Sequence, residues 1–174
     1  QLFYLPFDGN FTDFNDNIPF NLSGQYNITN ESGAIIGSGL QVFKNSNFNL
    51  SYNWTRGLIN LSQGSFEIWI NASSYLNGSG AVGSTFFQIA ISETHYFQML
   101  NYREDNFGIF DGFQFTVKNN SDTQTLKSNH NVTPNSVYHL VYTWNSTKLA
   151  IWINGTEYVN TSTSIMSNMA NFSP

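Results

Sequence analysis

The chain has 174 residues, of which 17% are aromatic and only 10% are charged, and its net charge is −5. With six Lys and Arg residues in total, it lacks the clustered cations that bind nucleic acids or anionic membranes, and no apolar run approaches the ~20 residues of a membrane helix. Because there is no cysteine, disulfides, thiolate nucleophiles and Cys-ligated zinc are excluded.

Short runs in which apolar and polar side chains alternate recur along the chain, and this period-two pattern is typical of β-strands. The run at residues 65–71 is the most regular, with Phe66, Ile68 and Ile70 on one face. In chain order, the predicted strands are residues 2–7, 25–29, 40–43, 47–52, 65–71, 86–91, 96–102, 107–110, 113–118, a strand near Thr125, 137–144, 149–153 and 156–159. Gly, Asn and Ser separate these runs, so the sequence predicts an all-β protein.

Residues 137–155 contain the clearest local signal in the chain. Two β-rich runs flank a polar break at residues 145–148, and the second run ends at Asn154-Gly155. Asn-Gly between two strands is the strongest short hairpin signal, because a type I′ turn requires positive φ at both central residues. The sequence therefore predicts three antiparallel strands that follow one another as a meander. Both faces of these strands are partly apolar. We therefore expect that other parts of the protein pack on both faces of the sheet, or that one face binds a ligand.

Four motifs in succession resemble those of laminin-G-like domains. They are LPFDG at residues 5–9 with Asp13, GSFEIWI at 64–70, VYHLVYTW at 137–144 and LAIWING at 149–155. The resemblance implies a single domain over residues 1–174, folded as a two-sheet antiparallel jelly-roll β-sandwich of the concanavalin A-like lectin/glucanase superfamily. Members of the family usually continue into a final strand, and residues 165–174 contain nothing like it. We therefore expect the closing C-terminal strand to lie beyond this chain or to be replaced by another element.

The resemblance also implies a function, namely a non-catalytic, lectin-like extracellular module that recognises a surface glycan or protein in adhesion or host attachment. The first alternative is a structural subunit of a filament, coat or virion surface. An unpaired edge strand invites self-association with another chain, and residues 2–7 are the strand to donate. The second alternative is a glycoside hydrolase. Glucanases of the superfamily carry paired carboxylates, whereas Glu67 is the only carboxylate on its predicted strand.

Asn-x-Ser/Thr sequons, the acceptors of N-glycosylation, are unusually dense. With 25 Asn and about one-fifth Ser plus Thr, chance gives about five sequons. The chain has fifteen, at Asn10, Asn21, Asn27, Asn30, Asn49, Asn53, Asn60, Asn71, Asn77, Asn119, Asn131, Asn145, Asn154, Asn160 and Asn171. The alternative is that Asn, Ser and Thr are simply abundant turn residues. Dense sequons without cysteine favour a glycan-coated protein at an archaeal cell surface or on an archaeal virion.

Exposed aromatic rings are candidates for stacking on sugar rings. The ligand-binding residues predicted from the sequence are Trp54, Tyr102 and Tyr142. Trp54 is the candidate most expected at the surface, because it lies inside a sequon. Trp69, Trp144 and Trp152 are further candidates, but Trp69 and Trp152 lie in the middle of predicted strands, where core packing is the more common role of an aromatic ring.

A hard-cation site is predicted near the start of the chain. Asp8, Asp13 and Asp16 fall in a polar stretch and supply the carboxylate oxygens that calcium prefers. The family resemblance makes Asp13 the main calcium ligand of the three. The alternative is that these residues only form turns, in which Asp is common.

Overall fold

The computed structural model describes residues 19, 21–29, 39–42, 48–51, 62–72, 85–102, 112–133 and 135–165. The chain forms two compact units, Gln1–Ile59 and Asn60–Pro174. Nearly all the described residues lie in antiparallel strands, which confirms the predicted fold class. The single domain over the whole chain stays a prediction. Among the described residues, none forms a helix of the length and apolarity that crossing a membrane requires.

The described strands agree with most of the runs identified in the sequence. They are β1 (Asn21–Ser23), β2 (Tyr26–Thr29), β3 (Gly39–Val42), β4 (Asn49–Ser51), β5 (Gly64–Ala72), β6 (Thr85–Ser92), β7 (His95–Tyr102), β8 (Gly112–Asn119), β9 (Asp122–Lys127), β10 (Ser136–Trp144), β11 (Lys148–Ile153) and β12 (Thr156–Ser162). Strand β1 was not predicted from the sequence, and β12 extends three residues beyond its predicted end. The predicted strands at 2–7 and 107–110 lie outside the described residues, as does the expected position of a closing strand.

The described residues of the first unit form two antiparallel pairs of short strands. Strand β1 pairs with β4, and β2 pairs with β3. The ring of Tyr26 meets Phe48 edge-on, with 5.6 Å between the ring centroids. Leu22 and Tyr26 remain partly exposed, so this unit keeps large apolar side chains at its surface.

The described residues of the second unit form two four-stranded antiparallel sheets. Sheet I has the strand order β12-β11-β10-β5, and sheet II has the order β6-β7-β8-β9. The predicted meander is confirmed as β10, β11 and β12, which are neighbours in sheet I. The turn between β11 and β12 has φ values of 51° at Asn154 and 81° at Gly155, as a type I′ turn requires.

The core lies between the two sheets and is built largely from aromatic rings. From β10, Trp144 packs on Phe97 and Phe115 of sheet II, and Tyr142 meets Phe115 edge-on. Between the edge strands of the two sheets, Phe66 of β5 stacks on Phe87 of β6. Alternation along β10 therefore separates a buried face, which meets sheet II, from an outer face. This packing of two antiparallel sheets is the β-sandwich predicted from the sequence.

Two glycines permit close approaches that a side chain would prevent. A Cβ atom at Gly64 would lie 2.5 Å from the Trp144 ring. At Gly112, φ is +141° and a Cβ atom would lie 2.5 Å from Ser128 Oγ. Ser128 Oγ accepts a hydrogen bond from the backbone N–H of Phe113 at 2.9 Å. The close contact between Gly112 and Ser128 therefore allows a hydrogen bond that stabilises the start of β8.

Candidate functional site

The outer face of sheet I carries large apolar side chains in contact with solvent. Trp69 of β5 is 50% exposed and Val137 of β10 is 42% exposed. They point outwards because Phe66, Ile68 and Ile70 occupy the alternate, half-buried positions of β5. An exposed indole offers a large apolar face and a polar N–H to a partner, so this face is the first place to look for a ligand.

Trp69 is braced by the imidazole of His139. The register of β5 and β10 places the two residues directly opposite each other. Their rings are stacked, with 4.2 Å between the centroids and 20° between the planes. Trp69 is still half exposed, so the part of the indole that does not contact His139 remains accessible to solvent.

His139 is itself fixed by hydrogen bonds in three places. Its Nε2 lies 2.7 Å from Oε1 of Glu67, whose side chain is 61% exposed. Its backbone N–H donates to Asn154 Oδ1 at 2.9 Å, and its carbonyl accepts from the Asn154 N–H at 2.8 Å. Glu67, Trp69 and His139 therefore form a pre-ordered cluster, called here the Trp69 platform. A carboxylate that accepts hydrogen bonds lies beside a flat apolar ring.

In the described part of this face, a second carboxylate, Glu157, lies far from Glu67. Glu67, Val141, Trp152 and Glu157 follow one another across the four strands of sheet I in a single cross-strand row. Three strand spacings of ~4.8 Å separate Glu67 from Glu157 by about 14 Å. That separation exceeds the ~5–9.5 Å between the paired carboxylates of glycosidases.

Glu157 lies in a polar cluster of its own. Both of its carboxylate oxygens accept hydrogen bonds from Lys148 Nζ, at 3.0 and 3.1 Å, and its Oε1 also accepts from Asn160 Nδ2. The hydrogen bond from Lys148 holds the pKa of Glu157 below its ordinary value. A glutamate held in its ionised form is a poor general acid at neutral pH.

A shallow depression of about 580 Å³ adjoins this cluster. It is lined by Thr147, Lys148, Asn160, Ser162, Thr163 and Ser164. These side chains offer hydrogen bonds and one cation, but none of the described residues that line the depression is aromatic. The Trp69 platform therefore offers a stacking surface that the depression lacks.

The predicted ligand-binding residues do not meet at this platform. Tyr142 is fully buried and packs against Phe115, so the expectation of a surface ring at this position is wrong. Its face of β10 is the one that sheet II covers. Tyr102 ends β7 and its side chain lies outside the described residues, as does the whole of Trp54. Conversely, Trp69, for which core packing was the favoured interpretation, is exposed.

The cluster was missed because its members are distant in sequence. Trp69 and His139 become neighbours only through the pairing of β5 with β10. The available signals were Trp69 and Glu67 on the same face of one strand and His139 at an alternate position of another. Those signals indicate orientation within each strand, but not which strands pair.

Calcium binding stays a prediction. Asp8, Asp13 and Asp16 lie outside the described residues. Within the ranges that the structure describes, no three His, Asp or Glu side chains converge on a point that would hold a metal ion.

Nine sequon asparagines lie in the described residues, and all but one are exposed. The exposed ones are Asn21, Asn27, Asn49, Asn71, Asn131, Asn145, Asn154 and Asn160. Asn119 is buried at the end of β8, so its expected accessibility to a glycan is wrong. At Asn145, Oδ1 accepts hydrogen bonds from the backbone N–H groups of Thr147 and Lys148, so this sequon caps a turn.

The described geometry agrees with what comparisons with known proteins show. A laminin-G family model with the description "Concanavalin A-like lectin/glucanases superfamily" matches residues 44–173. A similar solved structure is domain 4 of AbnA, a GH43 extracellular arabinanase from Geobacillus stearothermophilus, in complex with arabinotriose. It aligns with a TM-score of 0.65 and 14% identity over 92% of this chain and 73% of that chain. No curated protein matches the sequence. The chain therefore belongs to the concanavalin A-like lectin/glucanases superfamily.

Proposed function

We propose that this chain is a non-catalytic, extracellular lectin-like module that binds a glycan on the Trp69 platform. The observation that carries the proposal is the half-exposed Trp69 indole, stacked at 4.2 Å on His139 in the outer face of sheet I. The role that we propose for this glycan recognition is adhesion or attachment to a cell surface. Assembly through an edge strand is a separate prediction, since residues 2–7 lie outside the described residues.

The platform has the two chemical features that sugar recognition uses. One face of a sugar ring presents C–H groups, which pack on the apolar face of an indole. The hydroxyl groups at the ring edge then donate hydrogen bonds to a neighbouring acceptor. Glu67 supplies that acceptor, because its carboxylate is mostly exposed and only one of its oxygens contacts His139.

Pre-ordering of the platform favours binding. His139 is hydrogen-bonded through its side chain and its backbone, so the ring beneath Trp69 has little freedom to lose. Each side chain that must be ordered on binding costs about 0.5–1.5 kcal/mol. Prior ordering of Trp69 by the stack reduces that cost.

The spacing of the carboxylates supports a non-catalytic role. In the described part of sheet I, the outward carboxylates of Glu67 and Glu157 are about 14 Å apart, too far to act together on one glycosidic bond. The similar arabinanase domain was solved with arabinotriose, so an oligosaccharide can associate with a domain of this fold. The exposed sequons support an extracellular location.

The proposal is tested by binding of glycans to the unglycosylated protein. A glycan array identifies a ligand, and titration calorimetry then compares wild type with Trp69→Ala and Tyr158→Ala. Tyr158 is the matched control, because it is an exposed aromatic residue of the same sheet at 46% exposure and lies on β12. We expect Trp69→Ala to weaken binding at least tenfold, or about 1.4 kcal/mol, and Tyr158→Ala to leave it unchanged.

Two outcomes contradict the proposal. The first is that no glycan binds to the folded wild-type protein at millimolar concentration. The second is that Trp69→Ala binds its ligand as tightly as wild type does. Circular dichroism of each variant confirms that the sheets are retained.

A further inference from the structure

We infer that an N-glycan on Asn71 places its first sugar on the Trp69 indole, so that the chain's own glycan closes the site to external ligands. The inference deepens the proposed function, because it concerns access to the same platform. It rests on the positions of one sequon and one exposed ring, which lie together on the outer face of sheet I.

Trp69 and Asn71 are neighbours on one face of β5. Residues i and i+2 of a strand point to the same side and lie about 6.6 Å apart along it. Both side chains are exposed. Opposite Asn71 in the register lies Val137, which is also exposed, so no large polar group of β10 separates this sequon from solvent.

The covalent chemistry of the sequon determines where the sugar starts. N-glycosylation joins the first sugar to the side-chain amide nitrogen of Asn. The Asn side chain and one sugar ring together are longer than the step from Asn71 to Trp69. The ring therefore reaches the indole without any movement of the strand, and its C–H face packs on the apolar surface of Trp69.

Another described sequon near the platform is less well placed for this contact. Asn154 lies beyond His139, two strand spacings or about 9.6 Å from Trp69. Its side-chain oxygen is committed to the backbone N–H of His139 at 2.9 Å. Asn71 is closer to the indole and lies on the same strand, so it is the residue whose glycan covers the ring.

Tethering makes the covalently attached sugar an effective competitor. A group held by a short flexible link has an effective concentration in the millimolar range or above. An external ligand binds only to the fraction of molecules whose platform is open, and its apparent affinity falls by that fraction. If the tethered sugar covers Trp69 nine-tenths of the time, external binding weakens about tenfold.

The experiment compares four forms of the full chain. These are unglycosylated wild type from a host without N-glycosylation, and wild type, Asn71→Gln and Asn145→Gln from a glycosylating secretory host. Asn145 is the matched control, since it is an exposed sequon in the turn before β11. Glycopeptide mass spectrometry reports occupancy, calorimetry reports affinity for the array-identified glycan, and NMR reports contacts between the Trp69 ring protons and the first sugar.

We expect Asn71 to be occupied and glycosylated wild type to bind at least tenfold more weakly than the unglycosylated form. Asn71→Gln should restore binding, and Asn145→Gln should not. An unoccupied Asn71 overturns the inference, as does an occupied Asn71 in a protein that binds as tightly as Asn71→Gln. If the unglycosylated protein binds no glycan, the proposed function fails, and the NMR measurement alone tests the inference. A contact between the Trp69 ring and the first sugar then supports the inference, and the absence of that contact overturns it.

Discussion

Replacing Tyr142 by Phe should stabilise this protein. Tyr142 is 0% exposed, and its hydroxyl has no hydrogen-bond partner among the residues that the structure describes. Burial raises the pKa of the Tyr142 phenol well above its ordinary value, because the charged form is strongly disfavoured in this core. The ring itself is well packed, with its edge against Phe115 at 5.6 Å between centroids. The hydroxyl oxygen is therefore the part of the Tyr142 side chain that lowers the stability of the folded protein.

The size of the effect follows from the desolvation of that hydroxyl. A buried, unsatisfied polar group costs about 1–3 kcal/mol, and removal of the oxygen leaves a small gap that offsets part of the gain. We expect a net stabilisation of about 1 kcal/mol. For a chain of 174 residues this corresponds to a rise of about 2–4 °C in Tm.

The matched control is Tyr138→Phe on the same buried face of β10. The Tyr138 hydroxyl accepts a hydrogen bond from the Thr133 backbone N–H at 2.8 Å. Its removal should destabilise the protein by about 0.5–1.5 kcal/mol, which is the opposite sign. Urea unfolding and calorimetry of the two variants measure both changes. If Tyr142→Phe destabilises the protein as much as Tyr138→Phe, the Tyr142 hydroxyl is satisfied in solution and the reasoning fails.

Two further predictions concern a glycine and an ion pair. Gly112→Ala should lower the free energy of unfolding by more than about 2 kcal/mol, because φ is +141° and the new Cβ would clash with Ser128. At Gly155 a new Cβ would meet no other atom, so Gly155→Ala should lower the free energy of unfolding by only about 1–2 kcal/mol. Equal losses in urea unfolding would contradict the steric argument. The hydrogen bond from Lys148 lowers the pKa of Glu157 from its ordinary 4.5. The interaction between the two side chains therefore stabilises the folded protein above that pH, and this stabilisation is lost as the pH falls through the folded-state pKa. Lys148→Gln should therefore be less stable than wild type at neutral pH and converge with it in acid, and NMR titration should show a higher pKa for Glu157. A constant stability difference at all pH values would exclude the ion pair as its cause.

The local sequence pattern located most of the described strands and the turn between β11 and β12. Alternation located β5, β10 and β11, and Asn154-Gly155 located the type I′ turn, because both features depend only on neighbouring residues. The resemblance of four short motifs identified the superfamily, which the family match confirms. These properties required no knowledge of which strands lie side by side.

Tertiary structure decided which face of each strand is covered, and hence where the candidate site lies. Alternation sorts the side chains of a strand into two sets, but both sets of β10 contain apolar residues. Packing against the aromatic rings of sheet II buries Tyr142, and the opposite orientation of Trp69 leaves it at the surface. The pairing of β5 with β10 then brings His139 onto Trp69. Such contacts join residues distant in the chain, so they depend on the association of whole strands, which the local pattern of either strand does not specify.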